Sequence, residues 1–145
     1  MVVVEVNGYE IGPKARLTKA DLAGVDLSGV NLERAVLVQA ELSEASLPGV
    51  NLHQSDIRWA NLSRADVSES NLREAHLTGA NLSSADCHGS DFTDANLYGA
   101  DLQSSNFRQS SLTGAYRFLD SEMLKKTSEA YIFQHYFNKN IEKEC

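Results

Sequence analysis

Residues 75–84 read Ala75-His76-Leu77-Thr78-Gly79-Ala80-Asn81-Leu82-Ser83-Ser84. A small residue, a polar one and a leucine are followed by two more small or polar residues, and the set begins again. Followed outward in both directions, the phase never slips from Leu17 to Leu112. Every fifth residue is apolar: fifteen Leu, with Ile57, Val67, Cys87, Phe92 and Phe107. Two residues before each stands a small side chain: twelve Ala, three Val (Val25, Val30, Val50) and five Ser (Ser55, Ser70, Ser90, Ser105, Ser110). Asp or Asn usually lies between them, as in Ala20-Asp21-Leu22. A repeat this regular outranks local propensity.

A period of five excludes the two common elements. Residues five apart spiral around an α-helix, which turns about 100° per residue. On a long flat strand an odd period would send successive Leu to alternate faces. A short extended segment does place the small residue and the Leu on one side. The remaining residues must then turn the chain. Gly recurs there (Gly24, Gly29, Gly49, Gly79, Gly89, Gly99, Gly114), and Pro48-Gly49 is a type II turn pair. A short inward segment plus a corner, repeated, draws a polygon. Four sides make a 20-residue coil, and the twenty repeats of residues 15–114 make five coils.

The Ala-(Asp/Asn)-Leu-X-X pattern across residues 15–114 resembles the pentapeptide-repeat family. The resemblance implies an all-β solenoid, a right-handed quadrilateral β-helix with the Leu and the small residue inside, and no enzymatic activity. Around it the chain divides into a lead-in over 1–14, the repeat rod over 15–114 and a segment over 115–145.

The ends have their own character. Val2, Val3, Val4, Val6 and Ile11 make the lead-in apolar. Leu119 to about Lys143 reads as an α-helix capped at Asp120 or Ser121, with Phe133, Phe137 and Ile141 in an i, i+4, i+8 row. A rod end exposes unpaired edges, so a helical cap over the last coil is the favoured expectation. A dimerisation helix using Phe133, Phe137 and Ile141 is the other, leaving monomer and homodimer both open.

With four repeats per coil, residues 20 apart stack on one of four faces. The first face, centred on Leu17, Leu37, Ile57, Leu77 and Leu97, carries Trp59, the only Trp, with Val36, Val38 and Tyr98, interrupted by Arg58 and His76. Gly79 and Gly99 follow Trp59 along its stack. Clustered aromatic and Arg residues are what binding hot spots favour, so this face is the candidate for a partner protein. The competing expectation is that Trp59 lies flat on its own rod over the glycines.

Charge is uneven as well. The second and third faces, centred on the Leu22 and Leu27 stacks, carry Asp21, Asp26, Glu41, Glu44, Asp66, Glu69, Asp86 and Asp101 against Arg64 and Arg108. The other two faces carry five charges of each sign. Some pentapeptide-repeat proteins of the quinolone-resistance type protect DNA gyrase by resembling duplex DNA, and the acidic side raises that alternative. Five coils span about 24 Å, over which duplex DNA carries roughly 14 charges, more than twice the net −6 of this side. The favoured expectation is that Asp and Asn serve turns and solvation.

The remaining observations limit the function. Net charge −7 argues against nucleic acid or an anionic membrane as a direct partner. No run approaches a membrane span and the first residues lack the form of a signal peptide, so the expected setting is cytoplasmic. Cys87 sits at an inward position and Cys145 at the end, so no disulfide is expected. His53, His76, His88 and His135 fall on different faces or elements, so no metal site, cofactor or catalytic group is expected. The functional expectation is a non-catalytic scaffold that binds a partner protein. A DNA-mimic regulator of a type II topoisomerase is the alternative, and a purely structural role the third.

Overall fold

The computed structural model describes residues 3–115. Two strands open it, β1 (Val4–Val6) and β2 (Tyr9–Ile11), paired antiparallel with Val4 opposite Ile11 and Val6 opposite Tyr9. The two residues between them, Asn7 and Gly8, both have positive φ, 52° and 80°. That is the type I′ turn that Asn-Gly favours and that matches the twist of a hairpin. The apolar lead-in is thus a β-hairpin, and its Ile11 is buried in the core.

From there the rod is built without further strands among the described residues. Sixteen isolated parallel bridges each join residues 20 apart, from Arg16 with Val36 to Asp91 with Ser111. The 20-residue coil is therefore observed directly. Each straight side is too short to register as a strand, because the chain turns every five residues. The five positions of a repeat can be named small, bridge, central, shoulder and corner, as in Ala35, Val36, Leu37, Val38 and Gln39.

All twenty central residues are buried, none more than 3% exposed. The small residues are buried too, apart from Ala15, Val25 and Val30 in the first coil, which are partly covered. The inward Ser hydroxyls donate to backbone carbonyls, three residues back or, for Ser70 and Ser90, to Leu47 and Val67 in the preceding coil. Ser55, Ser105 and Ser110 donate their hydroxyls to the carbonyls of Leu52, Leu102 and Phe107 three residues back. Two Phe replace Leu near the far end, Phe92 and Phe107, with ring centroids 5.1 Å apart.

The turn is one motif repeated. All twenty corner residues have positive φ; seven are Gly and thirteen are not. The N–H of each small residue donates to the central carbonyl three residues earlier, as Ala20 does to Leu17 at 3.0 Å. Positive φ confined to the third residue of such a turn is the type II signature. The exception is Ser70, whose N–H donates to the Ser90 hydroxyl, which itself donates to Val67. Turn geometry also begins before the expected boundary: Lys14 has φ 60° and Ala15 donates to Gly12.

Backbone bonds between coils consume most remaining donors. Leu17 N–H donates to Val36, Lys19 N–H to Val38, and Val36 N–H back to Ala15, at 2.7 to 2.9 Å. In this scheme the shoulder N–H has no backbone acceptor, and a side chain supplies one. Wherever the bridge residue is Asp, Asn or Glu, fifteen positions in all, its side-chain oxygen accepts the shoulder N–H two residues on, at 2.9 to 3.3 Å. Asn side chains also ladder between coils: Asn71 donates to Asn51 and Asn51 to Asn31.

A left-handed conformation costs an L-residue about 1–2 kcal/mol, whereas Gly adopts it freely at a backbone-entropy cost of about 0.5–1 kcal/mol. Ser84, an exposed corner at φ 57°, is the position to test this. Ser84→Gly should raise the unfolding free energy by about 0.5–1 kcal/mol, measured by urea denaturation. A loss of stability would contradict a strained corner.

Candidate functional site

The first face is where the outward residues depart from the fold's own requirements. Trp59 occupies a corner at φ 61° and is 61% exposed; Tyr98, a shoulder two coils on, is 54% exposed. The indole leans along the rod over Gly79: a Cβ added there would overlap Cε3 and Cζ3. One indole face is thus packed on the rod, as the flat-lying expectation had it, while most of the side chain remains open to a partner. Beyond it, Gly99 offers a bare floor, since a Cβ there would meet only the Gly79 nitrogen at 3.9 Å. The corner strain is shared with twelve other residues and marks nothing functional by itself.

The other residues of this face differ in availability. Val36 and Val38 are half-buried, as is His76. Arg58 is exposed but held by Asp56 through two bonds, Nε at 2.8 Å and Nη2 at 2.7 Å. These bonds, with the Arg58 N–H and the charges of Arg58 and His76, lower the Asp56 carboxyl below its ordinary range, and the bonds and charge of Asp56 raise the guanidinium. The structure thus brings Trp59 and Gly79 together, pairs Arg58 with Asp56, and leaves Tyr98 on the neighbouring stack.

On the acidic side, six of the eight carboxylates are bridge residues engaged in turn capping. Asp21, Asp26, Glu41, Asp66, Asp86 and Asp101 each accept a shoulder N–H. The other two are corners: Glu44 pairs with Arg64 at 3.3 Å, and Glu69 lies over Gly89, 3.8 Å from His88. The Ser28 hydroxyl lowers the Asp26 carboxyl, and Ser43 and Asn61 lower that of Glu41 against its partial burial.

The fourth face holds a network spread over four coils that sequence reasoning did not assemble. His53 stands between Glu33 and Glu74, 3.5 Å from each. Arg34 donates to Gln54, Gln54 to Glu74, and Arg73 to Asp91. The 20-residue spacing makes 33, 53 and 73 neighbours, as it does 34, 54 and 74, so the neighbourhood was available from the period though the bonds were not. Burial pushes the Asp91 carboxyl up, but bonds from Thr93 and Arg73 outweigh it and lower it overall.

Among the described residues no group of His, Cys, Asp and Glu could hold a metal ion. Burial pushes the Cys87 thiol far up, so it is an inert core side chain. No helix among the described residues is long and apolar enough to cross a membrane. The cap and dimerisation expectations for Phe133, Phe137 and Ile141, with His135 and Cys145, lie outside the described residues.

The lowered carboxyls fix a pH dependence. Their folded pKa lies below the unfolded one, so their stabilisation is complete above the ordinary 3.8 of Asp and is lost as pH falls through the lower folded value. The melting temperature should be flat at neutral pH and fall below about pH 4. Asp56→Asn keeps the cap on Arg58 N–H and removes the charge, so its melting curve should flatten on the acid side. An acid limb identical to the parent's would exclude Asp56 as a contributor.

The comparisons agree with this geometry. The pentapeptide-repeat family model matches residues 15–54, 60–97 and 90–116, with eight copies. A pentapeptide-repeat protein of the Arabidopsis thaliana thylakoid lumen superposes with a TM-score of 0.64 at 28% identity, covering 72% of this chain and 75% of that one. A pentapeptide-repeat protein of Nostoc PCC 7120 is 44% identical, covering 59% of this chain and 62% of that one, with a TM-score of 0.45. One from Cyanothece 51142 is 32% identical over 63% of this chain and 59% of that one, with a TM-score of 0.46. No curated protein matches the sequence. The family model and the Arabidopsis neighbour imply the right-handed quadrilateral β-helix expected from the repeat. With its 20-residue coils, inward Leu stacks and matched repeats, the chain belongs to the pentapeptide-repeat family.

Proposed function

We propose that the protein is a non-catalytic scaffold whose first face binds another protein. The observation that carries this reading is where the capping rule is broken. The second face keeps a capping side chain at all five bridge positions and the fourth at four. The third lacks one only at Ser46, whose shoulder is Pro48 and has no N–H to cap. The first face lacks it at Arg16, Val36 and His76, three of five. The same face carries the two most exposed large apolar side chains of the rod, Trp59 and Tyr98. Residues that do not serve the fold cluster with residues that suit an interface, and such clustering marks contact surfaces.

The DNA-mimic alternative draws less support. Six of its eight acidic residues have a structural task, so their presence needs no ligand. Regular stacked faces also offer no deep pocket for a substrate, which favours a protein surface as the partner over small-molecule chemistry. The C-terminal segment acting as a cap completes the proposal.

The test is Trp59→Ala, with the partner captured from the native host, purified and titrated. Binding should weaken by about 2 kcal/mol or more, as hot-spot truncations do. Stability should fall by only about 1 kcal/mol or less, since most of the indole is already exposed. Intact binding with a markedly lower melting temperature would make Trp59 a packing residue and remove the face from the proposal.

A further inference from the structure

Three faces of the rod are acidic and one is not. The second and third each have a net charge of −3, and the fourth −2. The first, with Arg16, Lys19 and Arg58 against Asp56, has +2. Arg58 is occupied by Asp56, so the available cations are Arg16 and Lys19, both exposed and without an ion pair among the described residues. Both belong to the first coil. Beside them Lys14 and Arg16 line a cavity of about 490 Å³ between the hairpin and that coil, faced by Tyr9 and Glu10.

The order along the face is therefore cationic, then aliphatic at Val36 and Val38, then aromatic at Trp59, then bare at Gly99 beside Tyr98. At about 4.8 Å per coil, Trp59 lies two coils or about 10 Å from the cations, and Tyr98 four coils or about 19 Å. An extended peptide rises about 3.3 Å per residue, so about three residues span the first distance and about six the second.

We infer that the first face binds an extended acidic segment of the partner protein. Its carboxylates meet Lys14, Arg16 and Lys19, and an aromatic side chain about three residues away lies against Trp59. This rests on the partner-binding reading and adds the partner's chemistry. Charges more than a Debye length away, about 8 Å at physiological salt, are largely screened. A ligand lying on the first face thus feels that face most, while a basic segment is drawn to the other three. A nucleic acid fits less well: it carries a charge at every nucleotide, and here the cations sit at one end with Asp56 midway.

Trp59, the only Trp, reports binding by its own fluorescence. The probes are a synthetic ten-residue peptide with two Glu three and four residues before a Phe, its counterpart with Lys for Glu, and the oligonucleotide dT10. The Glu peptide should shift the emission saturably, and more weakly as salt rises. Its affinity should fall at least tenfold in the Arg16→Glu, Lys19→Glu double variant and fall also in Tyr98→Ala; the Lys peptide should bind at least tenfold more weakly. Equal binding of both peptides, an unchanged affinity in the double variant, no shift at millimolar Glu peptide, or tighter binding of dT10 would each overturn the inference. Concentration-dependent self-association abolished by Trp59→Ala would put a second copy on the face and overturn it too. If the native partner depends on Trp59 but not on Arg16 and Lys19, the partner-binding reading stands and this one fails.

Discussion

The rod depends on a single closed turn: a small residue's N–H on the carbonyl three residues back, with the second of the two residues between them at positive φ. That turn closes the repeat in five residues. Four of them return the chain to its starting side, so residue 36 lands beside residue 16 and the parallel bridges follow. Apolar burial then rewards every fifth position, which is why the central stacks admit Leu, Ile, Val, Cys or Phe but nothing charged. The corner, by contrast, accepts charged, polar and aromatic side chains as well as Gly, though none of its twenty positions holds a β-branched residue. Lys19, Gln39, Glu44, Trp59 and Arg64 all accept the left-handed conformation because the neighbouring coils impose it.

The same scheme explains the composition. Its hydrogen bonds satisfy four N–H groups per repeat and leave the shoulder N–H over. An Asx side chain at the bridge position reaches that donor, the local bond that also makes these residues turn formers. Asp and Asn therefore recur for the backbone's sake, and much of the acidic surface comes with the fold. This separates two properties that look alike in the sequence: acidic residues that cap, and aromatic residues that do not. Asp66 and Asn61 answer to the same donor, so charge at the bridge position is interchangeable with neutrality as far as the turn is concerned. Trp59 and Tyr98 cap no shoulder N–H and stand largely exposed.

Legibility followed periodicity. The inward stacks, the 20-residue coil and the Pro48-Gly49 turn could be read because each repeats or has a residue-specific cause; Gly49 does have φ 68°. The thirteen non-Gly corners could not be recognised singly, since Lys, Gln and Glu carry no preference for positive φ. The hairpin at Asn7-Gly8 was legible and passed over, because an apolar lead-in hid the two-residue turn between β1 and β2. Of the first-face residues, the stacking of Trp59 on Gly79 was available as one of two expectations, while the pairing of Arg58 with Asp56 needed side-chain coordinates. The His53 network lay between those cases: its neighbours follow from the period, its bonds do not.

Amide hydrogen exchange, read residue by residue, tests the capping account most directly. The shoulder amides of Ser43, Ser63 and Ser83, capped by Glu41, Asn61 and Asn81, should exchange slowly, like the other amides of their repeats. The shoulder amides of Val38 and Thr78, whose bridge residues are Val36 and His76, should exchange at least tenfold faster within the same folded rod. Equal protection at all five positions would contradict the account, because the Asp and Asn side chains would then not be what satisfies the leftover donor.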